Sequence, residues 1–419
     1  MKKVLIIAHL FYASPRIPGL GKYLPEFGWQ PIVLTTPLGE DPDSRFGPPD
    51  SFKSICKVIE THGYISSYGK KRLAPKKYRR LKRVLRFFYR YYREVAQYPD
   101  SEKGWKPFAV KVGDELFQSE EIDAMISSYS PVTSHLIASE LKRKHGVPWV
   151  ADFRDLWTQN HNYPYSPLRK IFERRLELKT LSVADALVST SQFWADKLKA
   201  MHRKEAYAIT NGFDPDSMSD GKADLTANFT ITYTGQIYTK QDPTKLLIAI
   251  EELISQGKID QKDVEVRFYG PENELLQREI EKRGLSKIVK QYGTIPRQDS
   301  LKKQQESQLL LLLDWEDPQE KGVFTGKIFE YFAAQRPILA TGGFGDDVVE
   351  KALDQTNSGV YCLKLEDIKD ALEKLYSEYK LKGRIAYHGN IEEVNKYSYR
   401  EMARKFAEIL NNLTAAKQT

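Results

Sequence analysis

The chain has 419 residues, 41% hydrophobic and 12% aromatic, which is enough to bury a core, excludes wholesale disorder and, at roughly 100–200 residues per domain, predicts two domains. Two distant cysteines, Cys56 and Cys362, exclude a disulfide framework or a Cys-based zinc site, and no apolar run approaches the ~20 residues of a membrane span. The net charge is +8, but twelve Lys/Arg and no acid fall within residues 70–93, leaving the rest of the chain at −4; the basicity belongs to one segment and is no general affinity for polyanions.

The start, Met1-Lys2-Lys3 followed by Val4-Leu5-Ile6-Ile7-Ala8, has too short an apolar run for a signal peptide. It predicts a first strand and a cytoplasmic protein. Further strands are predicted over 32–35, 124–127, 147–151, 186–189 and 206–209, with amphipathic helices over 132–144 and 168–181. A second series has strands over 229–234, 264–269, 309–313, 338–340 and 359–363, and helices over 244–255, 273–283, 297–307 and 326–334. Near-continuous apolar strands suit parallel sheets covered on both faces, and repeated β-helix-β units imply double winding. Turn chemistry at Asn211-Gly212-Phe213-Asp214-Pro215 and a polar stretch to Asn228 place a boundary near 210–228. The fold class expected is α/β: two doubly wound, Rossmann-like domains over 1–210 and 211–398, facing a central cleft. A final helix, about 399–413, packs back on the first domain.

The stretch from Lys321 to Thr341 is the most informative. Thr325 is a plausible N-cap for a helix running to Ala334 beside a loop with Gly322 and Gly326, a ready anion site. Lys327 and Glu330 are i, i+3 neighbours: the lysine can meet a phosphate and the glutamate can accept from ribose hydroxyls. The plain alternative is a surface Lys–Glu pair. In the first half, the strand at 147–151 ends in Asp152-Phe153-Arg154-Asp155, charges placed where an open α/β sheet presents ligand groups. A structural Arg–Asp bridge is the alternative there, with Asp152 assigned to it. His135 opens a helix, either as a catalytic group or as a satisfied structural histidine. His9 closes the first strand, before the Gly-bearing loop with Arg16 and Gly19 that opens the first helix. No metal-ligand spacing, Walker lysine or nucleophile elbow is found.

The Lys327–Glu330 stretch, closed by Ala333-Ala334 and Pro337, resembles the signature of retaining GT-B glycosyltransferases of the family 4 type, in which a Glu on this helix binds the donor's ribose. The usual pair of glutamates eight apart is half present, with Gly322 at the first place and Glu320 out of register. Gly235-Gln236 followed by Lys240 looks like the strand–glycine loop that serves the diphosphate, with Gln236 replacing an Arg. Tyr269-Gly270-Pro271 and Tyr292-Gly293-Thr294-Ile295-Pro296 resemble the next two strand-end loops, and the Asp152–Trp157 stretch resembles a motif of bacterial sugar transferases. The resemblance implies a donor site of Gly235, Gln236, Lys240, Gly270, Thr294, Ile295, Thr325, Gly326, Lys327 and Glu330. It implies catalytic roles for Asp155, Arg154 and His135, and an acceptor side of His9, Arg16 and Gly19. It implies no cofactor and no metal.

From Leu81, the positions Val84, Leu85, Phe88, Tyr91, Tyr92 and Val95 follow helical spacing with arginines opposite. That composition suits either a helix lying on an anionic membrane or one packed on its own domain; no nucleic-acid motif supports a third partner. The expected activity is transfer of a sugar, with retention, from a nucleotide-sugar (a UDP-sugar first) to a lipid-linked or polysaccharide acceptor in cell-envelope glycan synthesis, at the inner face of the membrane. A sugar-nucleotide epimerase and a non-catalytic basic-patch binding protein are the alternatives.

Overall fold

The computed structural model describes residues 1–9, 15–37, 56–62, 92, 94–218 and 223–417. The basic run over 70–93, Tyr92 excepted, lies outside the described residues. The chain divides into two compact units: Met1–Thr210 with Ala403–Thr419, and Asn211–Met402.

The first unit holds β1 (Lys2–Ile7), α1 (Arg16–Tyr23), β2 (Trp29–Thr35), β3 (Lys57–Glu60), α2 (Lys106–Ser119), β4 (Ala124–Tyr129), α3 (Val132–His145), β5 (Trp149–Phe153), α4 (Pro167–Leu181), β6 (Ala186–Ser189), α5 (Gln192–His202) and β7 (Ala206–Ala208). Its seven strands run in the order β3-β2-β1-β4-β5-β6-β7, with every pairing parallel. The order reverses between β1 and β4, where a doubly wound sheet opens its ligand crevice. Val4 to Ile7 are fully buried, as a strand covered by helices on both faces requires.

The second unit holds β8 (Phe229–Thr234), α6 (Thr244–Ser255), β9 (Val264–Tyr269), α7 (Glu274–Lys282), β10 (Val289–Gln291), α8 (Arg297–Gln305), β11 (Leu309–Leu313), α9 (Lys327–Ala334), β12 (Ile338–Thr341), α10 (Val348–Thr356), β13 (Gly359–Cys362), α11 (Leu365–Lys382) and α12 (Ile391–Asn395). Six parallel strands run β10-β9-β8-β11-β12-β13, reversing between β8 and β11. Alternate residues of β11 serve opposite faces: Leu309, Leu311 and Leu313 pack with α6, while Leu310 and Leu312 pack with Ile328, Phe329 and Phe332 of α9. The last helix, α13 (Tyr399–Ala415), leaves the second unit at Met402. Its distal turns hold Asn411, which accepts from Trp29 at 3.1 Å, and Thr414, which accepts from Lys2 at 2.8 Å.

Several sequence expectations shift. The fifth strand extends to Phe153, so Asp152 lies within it and does not close it. The Gly-bearing loop at Pro15 is already helix: Gly19 sits inside α1, its N–H bonded to the Pro15 carbonyl. The helix expected from 326 begins at Lys327 with Gly326 as its N-cap. No side chain caps it, so Thr325 is no cap.

Candidate functional site

Three neighbouring strands of the second unit end on glycine-bearing loops: Gly235 after β8, Gly270 after β9 and Gly293 after β10. The Gly235 N–H bonds the Tyr269 carbonyl at 2.6 Å, and the Gly270 N–H bonds that of Gly293 at 2.9 Å. Two of these glycines are required by close approach. A Cβ on Gly235, whose φ is +107°, would lie 2.7 Å from Lys327 Cε, and one on Gly270 would lie 2.2 Å from the Gly235 carbonyl oxygen. The loops are thus stacked tightly enough to bring Lys327, from the first turn of α9, over the end of β8.

Lys327 Nζ lies 5.2 Å from the Tyr233 ring and 5.8 Å from that of Tyr238, and it donates to the Gln236 carbonyl at 3.5 Å. Among the described residues no carboxylate comes within ion-pair distance of it. Burial lowers its pKa to about 8, with Glu330 acting the other way. Glu330, one turn along, is held from both sides. Its Oε1 accepts from Arg297 at 2.6 Å and its Oε2 from the buried Gln304 at 3.1 Å, while Gln304 also donates to Thr234 at 2.9 Å. Thr294 is exposed and Ile295 half-buried on the loop after β10. The structure therefore brings Gly235, Gln236, Gly270, Gly326, Lys327 and Glu330 together at one set of strand ends.

Lys240 is differently placed. Its ammonium pairs with Asp317 at 2.5 Å and lies 3.8 Å from the buried Glu320, which raises its pKa. It carries less net positive charge toward a phosphate than Lys327 does. Gly322, at the place of the missing glutamate, has φ +82° and donates its N–H to Asp347 at 3.0 Å. Sequence reading missed Arg297, Gln304 and Asp317. For the first two a signal exists: they are seven apart on α8, two turns on one face, and both reach Glu330.

In the first unit the charged motif is largely absorbed by the fold. Arg16 is 1% exposed; it meets Asp152 through Nε at 3.1 Å and Nη2 at 2.8 Å, and the carbonyls of Thr210 and Ile209 at 2.7 and 3.0 Å. Ser128 adds a bond to Asp152 at 3.2 Å. Arg16, expected on an acceptor side, is thus committed to a buried bridge with Asp152. Arg154 clamps the carbonyls of Tyr129 and Ser130 at 2.7 and 2.9 Å, and burial lowers its pKa. Asp155 is the exposed member.

His135 is fully buried among Phe153, Trp149 and Tyr129. Trp149 donates to Ser127 Oγ at 2.8 Å, and that hydroxyl is hydrogen-bonded to His135 Nδ1 at 2.7 Å. Burial drives the ring's pKa down to about 3. A neutral, sealed imidazole cannot shuttle protons to a substrate, and His135 is a core residue. His9 stands at the end of β1, its Nε2 3.1 Å from Glu102, whose pKa the contact lowers.

Among the described residues, no group of three or more His, Cys, Asp or Glu side chains is arranged to hold a metal, and no helix is long and apolar enough to cross a membrane.

Residues 13–212 match the family model described as a glycosyl transferase 4-like domain. No curated protein matches the chain. Among solved structures, the sucrose-phosphate synthase of Thermosynechococcus elongatus is similar with a TM-score of 0.64 at 14% identity, over 99% of this chain and 100% of that one. HepE of Anabaena, solved in complex with UDP, gives 0.62 at 14% identity over 98% and 100%. The trehalose 6-phosphate synthase of Burkholderia multivorans gives 0.61 at 13% identity over the whole of both chains. With the two all-parallel sheets, the family match identifies residues 13–212 as a glycosyl transferase 4-like domain, and the likeness to these structures shows that the whole chain has the GT-B fold.

Proposed function

We propose that the second unit binds a UDP-sugar, without a metal, and that the sugar passes with retained configuration to a lipid-linked or polysaccharide acceptor held by the first unit, in cell-envelope glycan synthesis. One observation carries the donor reading: the Lys327 ammonium, without a carboxylate partner, waits over the ends of β8 and β9 where two close-packed glycines clear the backbone. A diphosphate supplies the missing negative charge. The ribose hydroxyls then donate to Glu330, whose carboxylate is already oriented by Arg297 and Gln304. As the glycosidic bond breaks, charge builds on the leaving diphosphate, and Lys327 with the N-terminus of α9 stabilises it more than the ground state. Asp155, exposed beyond β5, is the first unit's candidate catalytic carboxylate. The likeness to UDP-bound HepE supports uridine over other bases.

The test is a thermal-shift panel of UDP, GDP, ADP and CMP with and without Mg²⁺, using the wild type and Glu330→Ala. A ligand that binds only the native state stabilises it by about 2.7 kcal/mol at a hundredfold excess over Kd. The expected result is a metal-independent shift with UDP that Glu330→Ala removes while its unliganded Tm stays unchanged. No shift with any nucleotide would overturn the reading.

A further inference from the structure

Helix α4 is turned the wrong way for a helix of a water-soluble surface. Its inward face carries Arg169, Glu173, Glu177 and Thr180, all buried. Its outward face carries Leu168 (66% exposed), Ile171 (52%), Phe172 (51%) and Leu178. The hydrophobic effect alone would rotate this helix by about half a turn.

A polar network fixes it as it is. Arg169 Nε donates to Glu173 at 2.6 Å, and the Trp157 indole donates to the other oxygen of Glu173 at 2.8 Å. The Thr158 N–H donates to Glu177 at 3.1 Å, and His202 closes on Glu177 at 3.3 Å. The Arg169 guanidinium lies 3.4 Å from the Tyr165 ring and also binds the carbonyls of Glu94, Gln97 and Pro99. Trp157 and Thr158 follow Arg154 and Asp155 with only Leu156 between. Breaking such a buried set is costly, so the apolar stripe is held outward.

The charges on the outward arc decide what covers it. Arg174, Arg175 and Lys179 are exposed there, and no acid accompanies them, since both glutamates of the helix face inward. Among the described residues none of the three has a carboxylate within ion-pair distance. Glu94, whose carboxylate binds Ser166 at the head of α4, follows directly on the run of twelve Lys/Arg over 70–93. Apolar side chains interleaved with unpaired cations complement an anionic lipid surface.

We propose that the outward face of α4 is a membrane-docking surface, inserting Leu168, Ile171, Phe172 and Leu178 at the interface of an anionic bilayer with Arg174, Arg175 and Lys179 on its headgroups. The network then ties the docked helix to the loop bearing Arg154 and Asp155. This deepens the lipid-acceptor part of the proposed function and is independent of the donor site.

The experiment is flotation of the full chain with vesicles of two parts phosphatidylcholine to one part phosphatidylglycerol, against phosphatidylcholine alone, with UDP thermal shift and size-exclusion run in parallel. Wild type floats with the anionic vesicles only. Arg174→Ala with Arg175→Ala weakens partitioning about 30-fold, two cations at about 1 kcal/mol each. Ile171→Ser with Phe172→Ser weakens it more than about tenfold. Both variants keep the wild-type Tm and UDP shift. Three results overturn the proposal: no flotation of the wild type, equal flotation of the Ile171/Phe172 variant, or conversion of a wild-type dimer to a monomer by that variant, which would make the face a contact between copies. Loss of the UDP shift in the wild type alone would fail the donor reading and leave the docking result standing.

Discussion

The two sheets have the same all-parallel winding and bring charge to the same place, the carboxyl ends of their central strands, yet they treat it oppositely. In the first unit Arg16 and Asp152 neutralise each other at complete burial, and Arg154 spends its guanidinium on two carbonyls. In the second unit the charge on Lys327 is left without a counter-ion. A buried pair serves the fold, because desolvated charges are tolerated only when matched. An unmatched cation, made less basic by its surroundings, is a cost that an anionic ligand removes. Residue type alone does not separate the two cases: both are basic side chains at the start of a helix.

The comparison breaks most visibly at Asp152. Asp152→Ala leaves the Arg16 guanidinium charged and buried, and should cost about 3–5 kcal/mol of stability in urea unfolding. The UDP shift of the fraction that folds should persist, since the groups assigned to UDP lie on the other unit. An alanine variant as stable as wild type would show that Arg16 reaches solvent, and the contrast between the units would fail.

Much of this was legible in sequence, for identifiable reasons. Runs such as Leu309–Leu313 and the helix over Thr244–Ser255 announce themselves because nearly all their apolar residues have a place in a core. The Lys327–Glu330 stretch is local: four residues fix the helix face and both groups. What escaped was set by partners distant in sequence or by edges. The strands Lys57–Glu60 and Val289–Gln291 lie at sheet edges, are short and are interrupted by charge, so neither gives an apolar run. Asp152 looked like the end of a strand because its counter-ion, Arg16, is far away in the chain. The period of α4 was plain, but which face turned inward depended on Trp157, Thr158 and His202.

The second effect concerns the unmatched cation itself. The Lys327 ammonium titrates near 8 in the folded chain against 10.5 ordinarily, so it binds fewer protons folded than unfolded between those values. Its penalty on folding is therefore full below pH 8 and fades as pH rises toward 10.5. Lys327→Met should stabilise the unliganded protein at pH 7 by about 2 kcal/mol while weakening UDP about 100-fold. In the wild type, the Kd for UDP should be flat up to pH 8 and then rise as much as tenfold per unit, with proton uptake on binding measured by calorimetry in two buffers. A Kd that does not change between pH 7 and 9 would remove Lys327 from the diphosphate.

The smallest effect tests whether the Arg297–Glu330 pair is matched for the fold or for the ligand. Arg297 and Glu330 are both partly exposed, and such a pair stabilises a fold by only about 0–1 kcal/mol. On the proposed donor reading its value lies in holding the carboxylate toward a ribose, with lone pairs beyond those taken by Arg297 and Gln304. Arg297→Ala should therefore leave the unliganded Tm nearly unchanged and raise the Kd for UDP about three- to tenfold, with Arg297→Lys recovering part of the loss. A lower Kd in the alanine variant would mean the opposite: the ion pair would be a latch that UDP has to open, and both units would then satisfy their own charges before any ligand arrives, the second more weakly than the first.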